Sequence, residues 1–191
     1  MLKQTPSQTV GPFYSIGLVH GGENVLVNER SSGQRIEIKG MVFDGDGQPV
    51  PDALIEIWQA DAQGIYNHPA DPQYAKVDKH FRGFGRAGTM AGGHFWFKTV
   101  KPGPVAGPDE QAQAPHINML VFARGMLIHA VTRIYFSDES ANQTDPVLNS
   151  IDDPQRRQTL IARRDESSED LPCYCFDIHL QGKGETVFFD P

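Results

Sequence analysis

The apolar residues of this chain come in short runs, each closed by a cluster of glycine, proline or aspartate. A buried helix needs a longer periodic stretch, whereas the strands of a sandwich or barrel need no more than this. Arg35 to Phe43 sets Ile36, Ile38 and Gly40 against Arg35, Glu37 and Lys39, and Asp44-Gly45-Asp46-Gly47 then turns the chain. Further strands are expected at 53–59, 94–100 and 174–181. A hairpin is expected from 116–123 and 128–136 through Arg124-Gly125. One helix stands out, with Asp153 as its N-cap, Pro154 at its first position and Arg163-Arg164 suiting its C-terminal end. Its arginines, with Arg156 and Arg157, fit a solvated face better than an anion site. Residues 67–84 and 102–115 are expected as long loops of the kind that serve binding or interfaces. The fold class is therefore all-β, a sandwich or barrel with long loops and one short helix.

A chain of 191 residues, 39% of them hydrophobic, supports one domain with a real core and lacks the depletion of core residues expected of disorder. Its net charge of -7 argues against nucleic acid or an anionic membrane as a general partner. The first residues are polar and lack the apolar stretch of a signal peptide. The longest apolar region, Ile117 to Val131, is interrupted by Asn118, Arg124, Gly125 and His129, so no membrane span is expected. Cys173 and Cys175, two apart on a strand, point the same way and make poor disulfide partners. They are expected as reduced thiols of a cytoplasmic protein. A Cys-x-Cys metal pair would need further soft ligands, and none is near in sequence. Residues 1–34 contain Pro6, Gly11, Pro12, Gly17, Gly21 and Gly22, and cannot satisfy their own backbone polar groups. They read as an extended N-terminal arm lying on another chain, with residues 35–191 as the body.

The chemistry concentrates between Lys101 and Phe122. On a strand, alternate side chains share a face, so His116 and Asn118 point together. A His-x-His there would offer two imidazoles to one metal ion. With Asn118 in the second place, the segment has the frame of a metal site and lacks a ligand. A satisfied core histidine is the plainer reading of His116, and a packed aromatic with a bonded hydroxyl is that of Tyr66.

Three segments together carry a resemblance: Glu56-Ile57-Trp58-Gln59-Ala60-Asp61-Ala62-Gln63-Gly64-Ile65-Tyr66, Arg82-Gly83-Phe84-Gly85-Arg86, and Phe97-Lys98-Thr99-Val100-Lys101-Pro102-Gly103-Pro104. With the 115–122 segment they match, in order and spacing, the intradiol ring-cleaving dioxygenases from about residue 5 onward. The opening Thr5-Pro6-Ser7-Gln8-Thr9-Val10-Gly11-Pro12-Phe13 and the ending Gly184-Glu185-Thr186-Val187-Phe188-Phe189-Asp190 resemble the branch built from homologous alpha and beta chains. The resemblance implies an antiparallel β-sandwich of the prealbumin-like kind. It also implies a pocket where catalytic members hold ferric iron, Fe(III), by two Tyr and two His. Tyr66 matches the first Tyr. Val105 stands where the second belongs, His116 matches the first His, and Asn118 replaces the second. Gln113 stands where catalytic chains carry an Arg, and Arg133 where they carry a Gln. Hard ferric iron wants anionic oxygen and imidazole, so this set is degenerate and the metal is expected on a homologous beta subunit. The branch cleaves 3,4-dihydroxybenzoate with O2. By position, Thr9, Gly11, Pro12 and Arg133 would then line the beta subunit's substrate pocket. Plainer readings stand beside these: Thr9 capping a turn, Gly11 and Pro12 shaping backbone, Arg133 in a salt bridge. A dioxygenase with an altered ligand set and a non-enzymatic β-sandwich binding module are the alternatives for the whole chain.

Overall fold

The computed structural model describes residues 11, 14–89, 91–107, 111–168 and 170–190. Eleven strands and three short helices are found among them. The strands are β1 (Arg35–Phe43), β2 (Leu54–Trp58), β3 (Phe84–Gly88), β4 (His94–Val100), β5 (Val105–Ala106), β6 (Ala112–Gln113), β7 (His116–Phe122), β8 (Ala130–Phe136), β9 (Ile161–Asp165), β10 (Cys173–Cys175) and β11 (Ile178–His179). The helices are α1 (Tyr14–Leu18), α2 (Pro146–Asn149) and α3 (Pro154–Gln158). One layer pairs β4 with β1 and continues through β10 to β9; the other runs β8, β7, β2, β3. The parallel pairing of β8 with β9 joins them, so the sandwich approaches a barrel.

The core lies between the layers. Ile36, Ile38, Phe95 and Phe97 enter from one side, and Ile55, Ile57, Ile117, Met119 and Ile134 from the other. The alternation expected for β1 and β7 is what delivers them: along β7, Ile117, Met119 and Val121 are core, while Asn118 and Leu120 stay half-buried on the opposite face. Burying one such side chain contributes about 2 kcal/mol, and this repeated term drives the two layers together.

The turn at 44–47 forms as expected, with the Asp44 carboxylate accepting from the amides of Asp46 and Gln48 and Gly47 at φ 75. The 116–136 hairpin forms with Ile117 opposite Ile134. Elsewhere the expectations need correction. Asp153 caps α3 through the Gln155 amide, but the helix ends at Gln158 and Arg163-Arg164 lie on β9. The expected strand at 174–181 is two strands. Both follow one register against β1, broken where the Met41 amide bonds the Asp177 side chain instead of backbone. Gly40 permits this, since a Cβ there would sit 1.8 Å from the Phe176 carbonyl oxygen. β3 was hidden by its glycines; Gly85 leaves the space that Leu26 fills. The 102–115 segment contains the β5–β6 ribbon, and the 67–84 loop buries Val77 and Phe81. The arm is not wholly extended: it contains α1, and from Glu23 to Asn28 it lies on this chain's own sheet. There Leu26 is 1% exposed and its amide bonds the Lys98 carbonyl. Among the described residues, no helix is long and apolar enough to cross a membrane.

Candidate functional site

Two loops meet at one end of the sandwich. After β2, the amide of buried Gln59 donates to the Val100 carbonyl, and its oxygen accepts from the Thr99 hydroxyl. Asp61 is 1% exposed and acts as a hub. One carboxylate oxygen accepts the amides of Gln63 and Ile65, and the other accepts that of Asp78. The Asp61 carbonyl receives the amides of Gly64 and Gly103. Gly64 sits at φ +81, and a Cβ on it would lie 2.0 Å from the Pro104 carbonyl oxygen. The Trp-Gln-Ala and Lys-Pro-Gly-Pro segments thus pack backbone against backbone, which fixes both Tyr66 and Val105.

The sheet brings the remaining positions to the same place. Cross-strand pairing sets Trp58 opposite Asn118, Asn118 opposite Arg133, and His116 opposite Tyr135. Tyr66 stacks on Trp58 at 5.8 Å, and its hydroxyl accepts a long bond of 3.4 Å from the Asn118 amide. Val105 pairs with Gln113 across the β5–β6 ribbon. The Gln113 oxygen accepts from the Arg133 guanidinium at 2.7 Å. Arg133 also lies 3.5 Å from the Tyr135 hydroxyl, which donates to Asp145 at 3.0 Å. Fully buried Asp145 accepts the amides of Ala114 and Leu148 as well, and so caps α2. Tyr135 and Asp145, which sequence reasoning missed, are the supports of the site. The Asp145-Pro146 pair is a cap signal of the kind read at Asp153-Pro154.

The electrostatics follow from burial around one guanidinium. His116 is 3% exposed. Its pKa is pushed down to about 4, first by burial and then by Arg133, so the ring is neutral. Its Nδ1 lies 2.8 Å from the Ala114 carbonyl oxygen. A carbonyl only accepts, so Nδ1 carries the proton and Nε2 keeps the lone pair, the tautomer a metal-ligating histidine needs. Burial raises the Tyr66 pKa, with the Asn118 bond and Arg133 opposing, so its phenol stays protonated at neutral pH. Ferric iron does not fit this donor set. Val105 offers no atom, the Asn118 amide bonds the tyrosine hydroxyl, and Arg133 brings a positive charge to the same group of side chains.

Of the residues expected to line a partner's pocket, Thr9 and Pro12 fall outside the described residues. Gly11 is exposed and its carbonyl receives the Tyr14 amide. Arg133 is half-buried and bonds within its own chain.

The chain is similar to known proteins over nearly its whole length. A dioxygenase family model matches residues 10–182. A protocatechuate 3,4-dioxygenase alpha chain of Pseudomonas putida is 45% identical over 202 residues, covering 100% of this chain and 98% of that one. A protocatechuate 3,4-dioxygenase beta chain of Burkholderia cepacia is 33% identical over 168 residues, covering 86% of this chain and 72% of its own. Among solved structures, the dioxygenase domain of a dioxygenase carbohydrate-binding protein fusion from Streptomyces sp. SirexAA-E superposes with a TM-score of 0.64 at 25% identity, over 94% of this chain and 99% of that one. Fold, motif order and full-length similarity agree: this chain belongs to the intradiol ring-cleavage dioxygenase family.

Proposed function

We propose that this chain is the non-iron-binding alpha subunit of an enzyme that cleaves 3,4-dihydroxybenzoate with O2 to 3-carboxy-cis,cis-muconate. Its partner is a homologous beta subunit that carries Fe(III), and the alpha chain builds part of the wall of the beta subunit's active site. One observation carries this reading. At two of the four positions that the resemblance assigns to iron ligands stand Val105 and Asn118, which lack the required donors, and Arg133 lies opposite Asn118 and bonds Gln113, the cross-strand partner of Val105. Full-length similarity to an alpha chain and lower similarity to a beta chain support the division of labour.

In this reading the alpha chain acts through shape, water exclusion and charge. Thr9, Gly11 and Pro12 of the arm approach the partner's substrate, and Arg133 supplies positive potential for a carboxylate-bearing catechol. The iron, when bound by the beta subunit, supplies the activation of the catechol toward dioxygen. The test is metal analysis and reconstitution. The chain purified alone should hold no stoichiometric iron and show no tyrosinate-to-iron colour. Mixed with the beta subunit, it should restore cleavage of 3,4-dihydroxybenzoate. A coloured single chain with one tightly bound iron would sink the proposal, as would a beta subunit whose turnover is indifferent to this chain.

A further inference from the structure

A second cluster of reactive side chains lies away from the degenerate site, on the β9–β10–β1 layer. The pairing of β10 with β9 sets Cys173 opposite Asp165, and the pairing with β1 sets Cys175 opposite Lys39. Both cysteines are free thiols. Their sulfurs and a carboxylate oxygen of Asp165 lie within 4.8 Å of one another. In sequence the Cys-x-Cys pair lacks a third ligand, because that ligand sits on β9, which reads there as the end of a helix. Cys175 lines two adjoining cavities of about 420 and 490 Å³, which give access from solvent.

We propose that Cys173, Cys175 and Asp165 form a binding site for one thiophilic divalent cation of the zinc and cadmium class. Two thiolates and a carboxylate are a donor set such ions accept, with a fourth position left to water. The Lys39 ammonium lies 2.9 Å from the Asp165 carboxylate and holds the place of the cation in the metal-free chain. Its side chain is 48% exposed, so it can swing into water when an ion arrives. The balance is simple. Two thiols lose their protons to solvent, two metal–sulfur bonds and one metal–oxygen bond form, and the Lys39–Asp165 pair opens. Because both thiols must lose their protons to bind, binding strengthens as pH rises.

Titration of the full chain with Cd2+ alone tests this, read by sulfur-to-cadmium charge-transfer absorbance. One ion per chain should bind, and Zn2+ should displace it. Cys173→Ser and Cys175→Ser should each abolish the band, and Asp165→Asn should weaken binding about tenfold or more. Lys39→Met should tighten it by about tenfold, a gain that misfolding cannot imitate. While both thiols start protonated, affinity should rise on the order of a hundredfold per pH unit, because two protons leave per ion. Absence of the band overturns the proposal. So does a band that survives Cys175→Ser, or a Lys39→Met chain that binds no more tightly.

Discussion

Acid should destabilise this chain through one buried histidine. His116 has a folded pKa of about 4 against its ordinary value of 6.5. Above pH 6.5 the ring is neutral in folded and unfolded chains alike, and its full contribution to stability is present. As pH falls from 6.5 toward 4, the unfolded chain takes up a proton that the folded chain refuses, and stability is lost. Below 4 both forms are protonated and the loss levels off. Each pH unit in that window costs about 1.4 kcal/mol, and the whole descent is on the order of 3 kcal/mol. His116→Gln keeps a side-chain amide that can donate to the Ala114 carbonyl and removes the titration. Urea unfolding of both chains, at about pH 7 and about pH 4, isolates the effect, because the carboxylates titrate in both. The variant should start with a fixed packing cost and lose about 2–3 kcal/mol less on acidification. Arg133→Gln should also soften the acid response, since the guanidinium is the second cause of the shift. Parallel losses in wild type and His116→Gln would refute the reasoning.

Three further outcomes are expected. Arg133→Ala in the assembled enzyme should lower kcat/KM by about 1–3 kcal/mol with iron content unchanged, and Arg133→Lys should recover only part, because an ammonium lacks the planar fork; unchanged kinetics would leave Arg133 a structural residue. Gly64→Ala places a methyl against the Pro104 carbonyl at a left-handed position and should cost at least about 2 kcal/mol, seen as a lowered Tm. Asp145→Ala strands the amides of Ala114 and Leu148 and the Tyr135 hydroxyl and should cost about 2–4 kcal/mol in chemical denaturation.

Much of the fold was legible because binary alternation writes it directly. β1, β4 and β7 bury alternate apolar residues, and those residues are visible in the sequence. β3 was not legible because Gly85 and Gly88 carry no side chain to alternate, and what makes it a strand is its pairing with β2, some thirty residues earlier in sequence. β9 was misread because Asp153-Pro154 is a genuine helix start, and nothing local says that the helix stops after Gln158; the pairing with β10 and β8 decides it. The site was legible as a set of matched positions, which motif order supplied. Its interior was not. The bonds from Arg133 to Gln113 and from Tyr135 to Asp145 depend on strand register, and no spacing rule encodes them.

The placement of β10 has a consequence for synthesis. It lies between β1 and β9 and so ties β1 to the strand whose pairing with β8 joins the two layers, yet Glu37 pairs with Cys173, 136 residues later (173 − 37). At about 5–20 residues per second, the ribosome leaves that edge of β1 open for roughly 7–27 seconds. During that interval β1 can hold only its antiparallel neighbour β4, and its other edge presents unpaired amides and carbonyls to any strand nearby. A second copy of this chain made on the same message offers such strands. The pace of translation between Val100 and Cys173 therefore governs how long a nascent chain of this kind is exposed to mispairing with its own copies.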